Sequence, residues 1–474
     1  MIEIKITAFV DQIVKGNHTF NDFKFTENFL DTPEEPDYLV FGSILLKLIQ
    51  TERISKDKRI ELVFRDCVFD SIADFDFEGI ENISIKRFQN CTFNNICHFR
   101  NLTIDIQERL VGNINKSIYC FFHNVIFEKV GFHKVNFKTN SIFHKTTFND
   151  EIIFGNCVFE KDINTKDLVF KKDVMVIACT FEGVGIISSK FEKNIAIMGD
   201  DSRTTVFKQN VFILGEIMGS LQFENVDFQK DFTFRPSYQA DKLFSVENVR
   251  INGIGYFRDS VFNSNVQFKK IDLSHFTFLN SKIDDALFSE CSFTRGYIYD
   301  DLELKKKNII INYNDVIKEL RMFEMSFDKR KDFEQAGWFH YEAMEINRTN
   351  SNGKLKFLIL TFYKWTSRYG ESIERSLSCV FFTIIFFSLA YLFTGLITPH
   401  GQIWWWDSAK RYYWLGDWGY GLLYSFFSSV PFKRESDIIK SLGSWTTGLS
   451  IFQTVIQTVL GSLFLIALRR KFKR

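Results

Sequence analysis

A bulky apolar residue returns at every fifth place between residues 266 and 293: Phe268, Leu273, Phe278, Ile283, Phe288 and Phe293. Neither a strand, with period two, nor an α-helix, with period 3.6, produces that spacing. In extended chain, residues two apart face the same side, so each marked residue and the one two before it can share a core if a corner follows. Those partners are Val266, Ile271, Phe276, Ser281, Ala286 and Cys291, mostly small or apolar. Of the 16 remaining positions, 14 are polar, with Leu279 and Leu287 as exceptions. One side of the stretch is dry and the other wet. Phe122, Phe127, Phe132 and Phe137 repeat the register over Cys120, Val125, Val130 and Val135. A backbone that turns every five residues is a coil, and one coil cannot bury its own rings. Stacking coils about 4.8 Å apart supplies backbone hydrogen bonds and a continuous core. A β-solenoid is expected.

Composition narrows the chemistry. The 474 residues include 56 phenylalanines but only 5 prolines, so many rings need an interior. With 59 basic against 58 acidic side chains there is no overall excess to attract nucleic acid, and none is expected as a partner. Seven of the eight cysteines (Cys67, Cys91, Cys97, Cys120, Cys157, Cys179, Cys291) stand two residues before a phenylalanine, as packing residues in a reducing compartment would. No CxxC pair occurs, and His123, His133 and His144 follow core phenylalanines and should face outward, so neither a metal nor another cofactor is expected. HExxH, GxSxG and GxxxxGK[ST] strings are absent, which argues against an enzyme. The N-terminal "MIEIKITAFVDQIVKG" shows no secretion signal.

With Phe or Leu at the central position and a small residue two before it, residues 60–298 resemble the pentapeptide-repeat family. The resemblance implies a right-handed quadrilateral β-helix, here irregular, because gaps such as Phe93 to Phe122 break the count. Four pentapeptides per coil imply ten to twelve coils, with residues 1–59 as an N-terminal cap. The acidic excess over this region is too mild for the DNA mimicry some relatives practise.

Residues 299–375 read as a helical connector. "NDVIKELRMFEMSFDKRKDFEQAGWFHYEAMEINR" has helical spacing broken near Lys331 and Asp332, with Asn314 as N-cap, Val316, Leu320, Phe323 and Phe327 on one stripe, and Phe333, Trp338, Tyr341 and Met344 on the next. "KLKFLILTFYKWTSRYGESIER" mixes basic and apolar residues, as an interfacial helix does. "AGWFHYEAME" and "KWTSRYGE" resemble the connector of bacterial proteins that join pentapeptide repeats to a two-helix, channel-like membrane domain. The re-entrant segment described below needs several subunits around an axis, and the pore-loop channels it resembles are fourfold, so an oligomer is expected, with a tetramer favoured.

Residues 376–474 contain two uncharged apolar runs, 377–397 and 444–468, each long enough to cross a hydrocarbon core about 30 Å thick. Lys364, Arg368 and Arg375 precede the first and a basic tail follows the second. The positive-inside rule then places both termini in the cytoplasm of a bacterial inner-membrane, multi-pass protein. Trp365, Trp404, Trp405, Trp406, Trp414, Trp418 and Trp445 are candidate interface anchors to the lipid bilayer. Between the crossings, residues 419–431 read as a re-entrant half-helix ended by Pro431, the layout of pore-loop cation channels. Potassium selectivity is not supported, since "SSVPFKRESD" stands where a TVGYG-type filter would be. Pore-lining candidates are Ser425, Ser428, Ser429, Ser450, Gln453, Gln457 and Gly461. The polar stripe of the second crossing fits either a hydrated pore or adhesion between helices. Three functions stay open: a weakly selective channel whose cytosolic solenoid senses a ligand or protein, a non-conducting membrane scaffold, and a depolarising effector of a stress or phage response.

Overall fold

The computed structural model describes residues 2–4, 9, 11–13, 15, 19–21, 23–25, 39–40, 60–70, 72–78, 83–104, 121–140, 142–235, 237–238, 242–258, 266–281, 286–293, 312–351, 353–404, 414–429 and 439–473. The chain divides into two compact units, Met1–Ile311 and Asn312–Arg474.

The first unit is a β-solenoid of about eight turns built from short parallel strands. Rings superpose from turn to turn. Phe137, Phe159, Phe181, Phe207 and Phe228 form one column with centroids 4.6, 4.7, 4.4 and 5.0 Å apart and planes within 9° of parallel. Phe64, Phe88, Phe122 and Phe143 form another, at 5.0, 5.5 and 5.2 Å. These spacings follow the separation of neighbouring strands, so the repeat of the backbone sets that of the core. The small residue two before a ring lies where the chain turns: Cys157 Sγ donates to Gly155 O at 3.4 Å and Phe132 O at 3.5 Å. None of the described cysteines forms a disulfide, and Cys120 lies outside the described residues.

Fewer turns form than the ten to twelve expected from the spacing, because corners take up extra residues. Ile152 pairs with Val174, Val174 with Ile195 and Ile195 with Leu221, turns of 22, 21 and 26 residues instead of twenty. Many corners use the left-handed region, as at Asn90, Asn124 and Asn156 (φ 51°, 52° and 53°), where asparagine carries less steric cost than most residues. Their amides also bond along the stack: Asn124 Nδ2 donates to Asn90 Oδ1, and Asn90 Nδ2 to Asp66 Oδ1, both at 2.9 Å. Within residues 1–59, strands Thr19–Asn21, Phe23–Phe25 and Leu39–Val40 join the same ladders by pairing with residues 63–65, 68–69 and 73–74.

The second unit is helical: α1 Tyr313–Lys329, α2 Phe333–Thr349, α3 Lys354–Ser367, α4 Ile373–Thr394, α5 Trp414–Ser428 and α6 Ser444–Lys473. Asn312, not Asn314, caps α1, its side chain accepting from Asn314 N; the helix begins two residues earlier than expected. Asp332 caps α2 by accepting from Gln335 N. In α2 the buried stripe is Ala336, Phe339, Ala343 and Ile346, whereas Phe333, Trp338, Tyr341 and Met344 are only half-buried. The alanines leave room for Phe339 to stack on Phe323 and Phe327 of α1, at 5.0 and 5.5 Å. Helices α4 and α6 are both long and apolar enough to cross a membrane. α4 stops at Thr394, short of the expected 397, because Gly395 (φ 87°) turns the chain into a small antiparallel sheet of residues 396–398, 401–403 and 440–441. Residues 414–428 form one continuous helix, while Pro431 lies outside the described residues.

Candidate functional site

The polar stripe of α6 meets polar groups of α4 and α5. Gln453 is fully buried, and its amide closes a network across three helices. Tyr391 OH on α4 donates to its Oε1 at 2.7 Å. Its Nε2 donates to Ser425 O at 2.9 Å, Ser425 Oγ at 2.8 Å and Ser429 Oγ at 3.1 Å on the α5 side. Ser425 Oγ in turn donates to Ile384 O of α4 at 2.8 Å. One turn earlier Ser450 Oγ donates to Ser428 Oγ at 3.1 Å, and Thr454 Oγ1 reaches Ser428 O at 2.8 Å. One turn later Gln457 Nε2 reaches Val380 O at 3.2 Å. Six of the seven pore-lining candidates are thus joined inside a single chain. Gly461 is apart, on the open side of α6, where an added Cβ would meet nothing within 4 Å.

Spacing along α6 divides the rest of its surface. Phe452, Val455, Val459 and Ile466 form an exposed apolar strip, and Thr447, Thr458 and Ser462 share the adjoining exposed strip with Ile451 and Leu465. The tryptophans differ equally. Trp365 and Trp445 are 80% and 84% exposed, and Trp404 is partly exposed. Trp418 turns inward, its Nε1 donating to Ser388 Oγ at 3.0 Å. Trp414 opens α5, and Trp405 and Trp406 lie outside the described residues.

A second cluster joins α2, α3 and α6. Glu345 Oε1 accepts from Arg348 Nη2 at 2.5 Å and Lys364 Nζ at 2.9 Å; its Oε2 accepts from Arg348 Nε at 3.1 Å and Tyr369 OH at 2.8 Å. Burial pushes this carboxyl up, but the three donors outweigh it and bring its pKa to about 2. Burial, then the bond to Glu345, raises that of Tyr369. Arg368, Tyr369 and Gly370 occupy left-handed backbone in succession (φ 51°, 60°, 82°), two of them residues that pay about 1–2 kcal/mol for it. The tight turn brings Tyr369 O to Arg470 Nη1 of α6 at 3.2 Å, and Arg470 also donates to Glu371 Oε1 at 2.7 Å. The strings "AGWFHYEAME" and "KWTSRYGE" therefore meet at Glu345. Sequence reasoning singled out both strings but not their junction; the signal was the glutamate that ends the first string against the lysine and tyrosine of the second.

No protein-family model matches the chain, and no solved structure matches it. It is similar to a protein of Methanocaldococcus jannaschii described as uncharacterized, with 22% identity over 259 residues, or 48% of this chain and 52% of the relative. The chain thus spans about half the length of the curated relative it matches.

Proposed function

We propose that this chain is a subunit of an oligomeric membrane channel, a tetramer by its resemblance to two-helix channels. Its solenoid, of the pentapeptide-repeat type, lies in the bacterial cytosol and biases pore opening. One observation carries the membrane reading: α4 and α6 are each only 22% buried over their most apolar stretch, whereas a soluble core helix would be mostly covered. Phe382, Phe386 and Ile451 are 71%, 65% and 63% exposed, an arrangement stable in lipid and costly in water. Since Ser425, Gln453 and Gln457 are buried and bonded between helices, the pore-facing groups in this reading are the exposed Thr447, Thr458 and Ser462, with Gly461, of α6. The Glu345 cluster supplies a rigid path from the α1–α2 hairpin through the 368–370 turn to the end of α6. Passive ion flow requires neither catalysis nor a cofactor.

The same internal bonding favours a second reading, a membrane-anchored scaffold without conduction, because a bundle that satisfies its own amides has no need of a water-filled axis. Planar-bilayer recordings separate the two. A channel gives currents that a charged thiol reagent blocks in Thr458→Cys and Ser462→Cys but not in Gln457→Cys. Absence of current from correctly inserted protein removes the channel and leaves the scaffold.

A further inference from the structure

One wall of the solenoid is interrupted. On the face that follows strands such as Asn136–Phe137 and Val158–Phe159 in each turn, residues 19–21, 60–65, 83–89, 122–123 and 143–144 form one ladder. Residues 163–164, 185–187, 211–213, 232–234, 255–256 and 276–277 form another. Among the described residues no pairing joins 143–144 to 163–164, although other ladders run straight across this level, from Thr147–Phe148 to Val169–Phe170 and from Val158–Phe159 to Thr180–Phe181.

Behind the break lies a cavity of about 100 Å³. Side-chain size explains it. The column of Phe75, Phe99, Phe132 and Phe154, with rings 5.0, 5.2 and 5.0 Å apart, continues as Val176 and Ile197. The column ending at Phe143 is followed, beyond the break, by Ile163 and Gly185. These smaller residues and the surrounding rings line the space, with Asn140, Asn164 and Thr165 the polar groups on its boundary. Asn164 Oδ1 already accepts from Lys166 N and Thr165 Oγ1 from Ser188 N. Phe143 is half-buried, although Phe64, Phe88 and Phe122 above it are fully buried.

We propose that this cavity binds a small uncharged apolar molecule, of the size of one aromatic ring or a short alkyl chain, admitted through the interrupted wall. A charged ligand would lose its hydration without a partner. An apolar cavity of this order holds no ordered water and accepts benzene-sized guests, because its lining lacks contacts that such a guest restores. The proposal concerns the solenoid alone and holds whether or not the membrane unit conducts.

The test is photolabelling of the full-length chain in lipid nanodiscs with 3-trifluoromethyl-3-phenyldiazirine, followed by peptide mapping. Adducts are expected on residues 142–197 as well as on lipid-facing positions of α4 and α6. Excess toluene should abolish the first set. Val176→Phe, which restores the interrupted column, should do the same, as should Gly185→Leu, where an added Cβ meets only the Val211 methyls at an ordinary 3.7 Å. Circular dichroism identifies which variants fold. Wild-type protein labelled only on the membrane helices overturns the proposal, as does undiminished labelling of residues 142–197 in a folded variant.

Discussion

The two units are inside-out with respect to each other. In the solenoid the interior is aromatic, and the exterior carries ion pairs that climb from turn to turn, such as Lys129–Glu151, Lys208–Glu182 and Lys269–Glu247. In the helical unit Gln453, Ser425, Ser388 and Thr446 are fully buried, while Phe381, Phe382, Phe386, Phe452 and Leu465 are exposed. A fold in water hides what water rejects; one in hydrocarbon gains nothing by hiding leucine and is held by packing and hydrogen bonds. On the membrane reading proposed above, the inversion corresponds to two solvents along one chain.

The largest effect expected on the solenoid side is at Phe99, which lies between Phe75 and Phe132 at 5.0 and 5.2 Å with Phe88 and Phe122 edge-on at 5.8 and 5.3 Å. Phe99→Ala should cost about 3–5 kcal/mol. Because each turn contacts only its neighbours, hydrogen exchange should accelerate in residues 73–76, 97–100 and 130–133 and stay unchanged near residue 266. Uniform acceleration throughout would show a single cooperative unit instead.

On the helical side the sharpest test is Phe382→Arg. In water, a charge at this exposed position would change stability by no more than about 0.5 kcal/mol. In a bilayer it should raise the insertion free energy of α4 by about 3 kcal/mol, measured as the inserted fraction in a microsomal glycosylation assay. Unchanged insertion would break the comparison outright. Gln453→Leu is the complementary change. It leaves Tyr391 OH and the Ser425 and Ser429 hydroxyls without their shared partner and should destabilise the bundle by about 1–2 kcal/mol in SDS titration.

How much of this was legible differs between the units for a physical reason. The spacing of Phe268, Phe278 and Phe288 states one requirement many times, so the ring core and outward-facing charges follow from the string itself. Turn length does not follow, because residues inserted at a corner leave the ring register untouched. Nor does the interrupted wall, which depends on where Phe143 fails to meet Ile163. In the helical unit, spacing places Gln453 and Gln457 on one face of α6 but is silent about what that face meets. Tyr391, 62 positions away, is an unremarked hydroxyl in an apolar run until the fold brings it within 2.7 Å. Asn314 is a good cap on paper, but Asn312, also an asparagine, holds the extended backbone and accepts from Asn314 N.

The Glu345 cluster, whose charges are partly exposed, should show an effect of middle size. Its carboxyl is depressed from 4.5 to about 2, so the folded state favours the carboxylate. The resulting stability is complete above the unfolded value and disappears as pH falls through the folded one. Exchange protection at the 368–371 turn should therefore hold from pH 8 to about pH 5 and decline below about 4.5. Glu345→Gln should lower protection at neutral pH by about 1–2 kcal/mol and flatten that decline. A pH profile identical to wild type would detach the cluster from the stability of the turn.

The smallest effect should come from the outer surface of the solenoid, which gives the comparison its control. Lys208 and Glu182 pair at 2.8 Å with side chains 45% and 41% exposed, on adjacent turns. Their attraction acts through water, is screened by salt and orders two flexible chains, so Lys208→Ala should cost at most about 0.2–1 kcal/mol. Whatever it costs should vanish in high salt, whereas the Phe99→Ala effect should grow or persist because excluded salts strengthen apolar burial. Denaturant titration of both variants at low and high sulfate therefore reads the two faces of the same wall separately. A Lys208→Ala loss comparable to that at Phe99 would mean that ion pairs, not rings, fix the register of the stack.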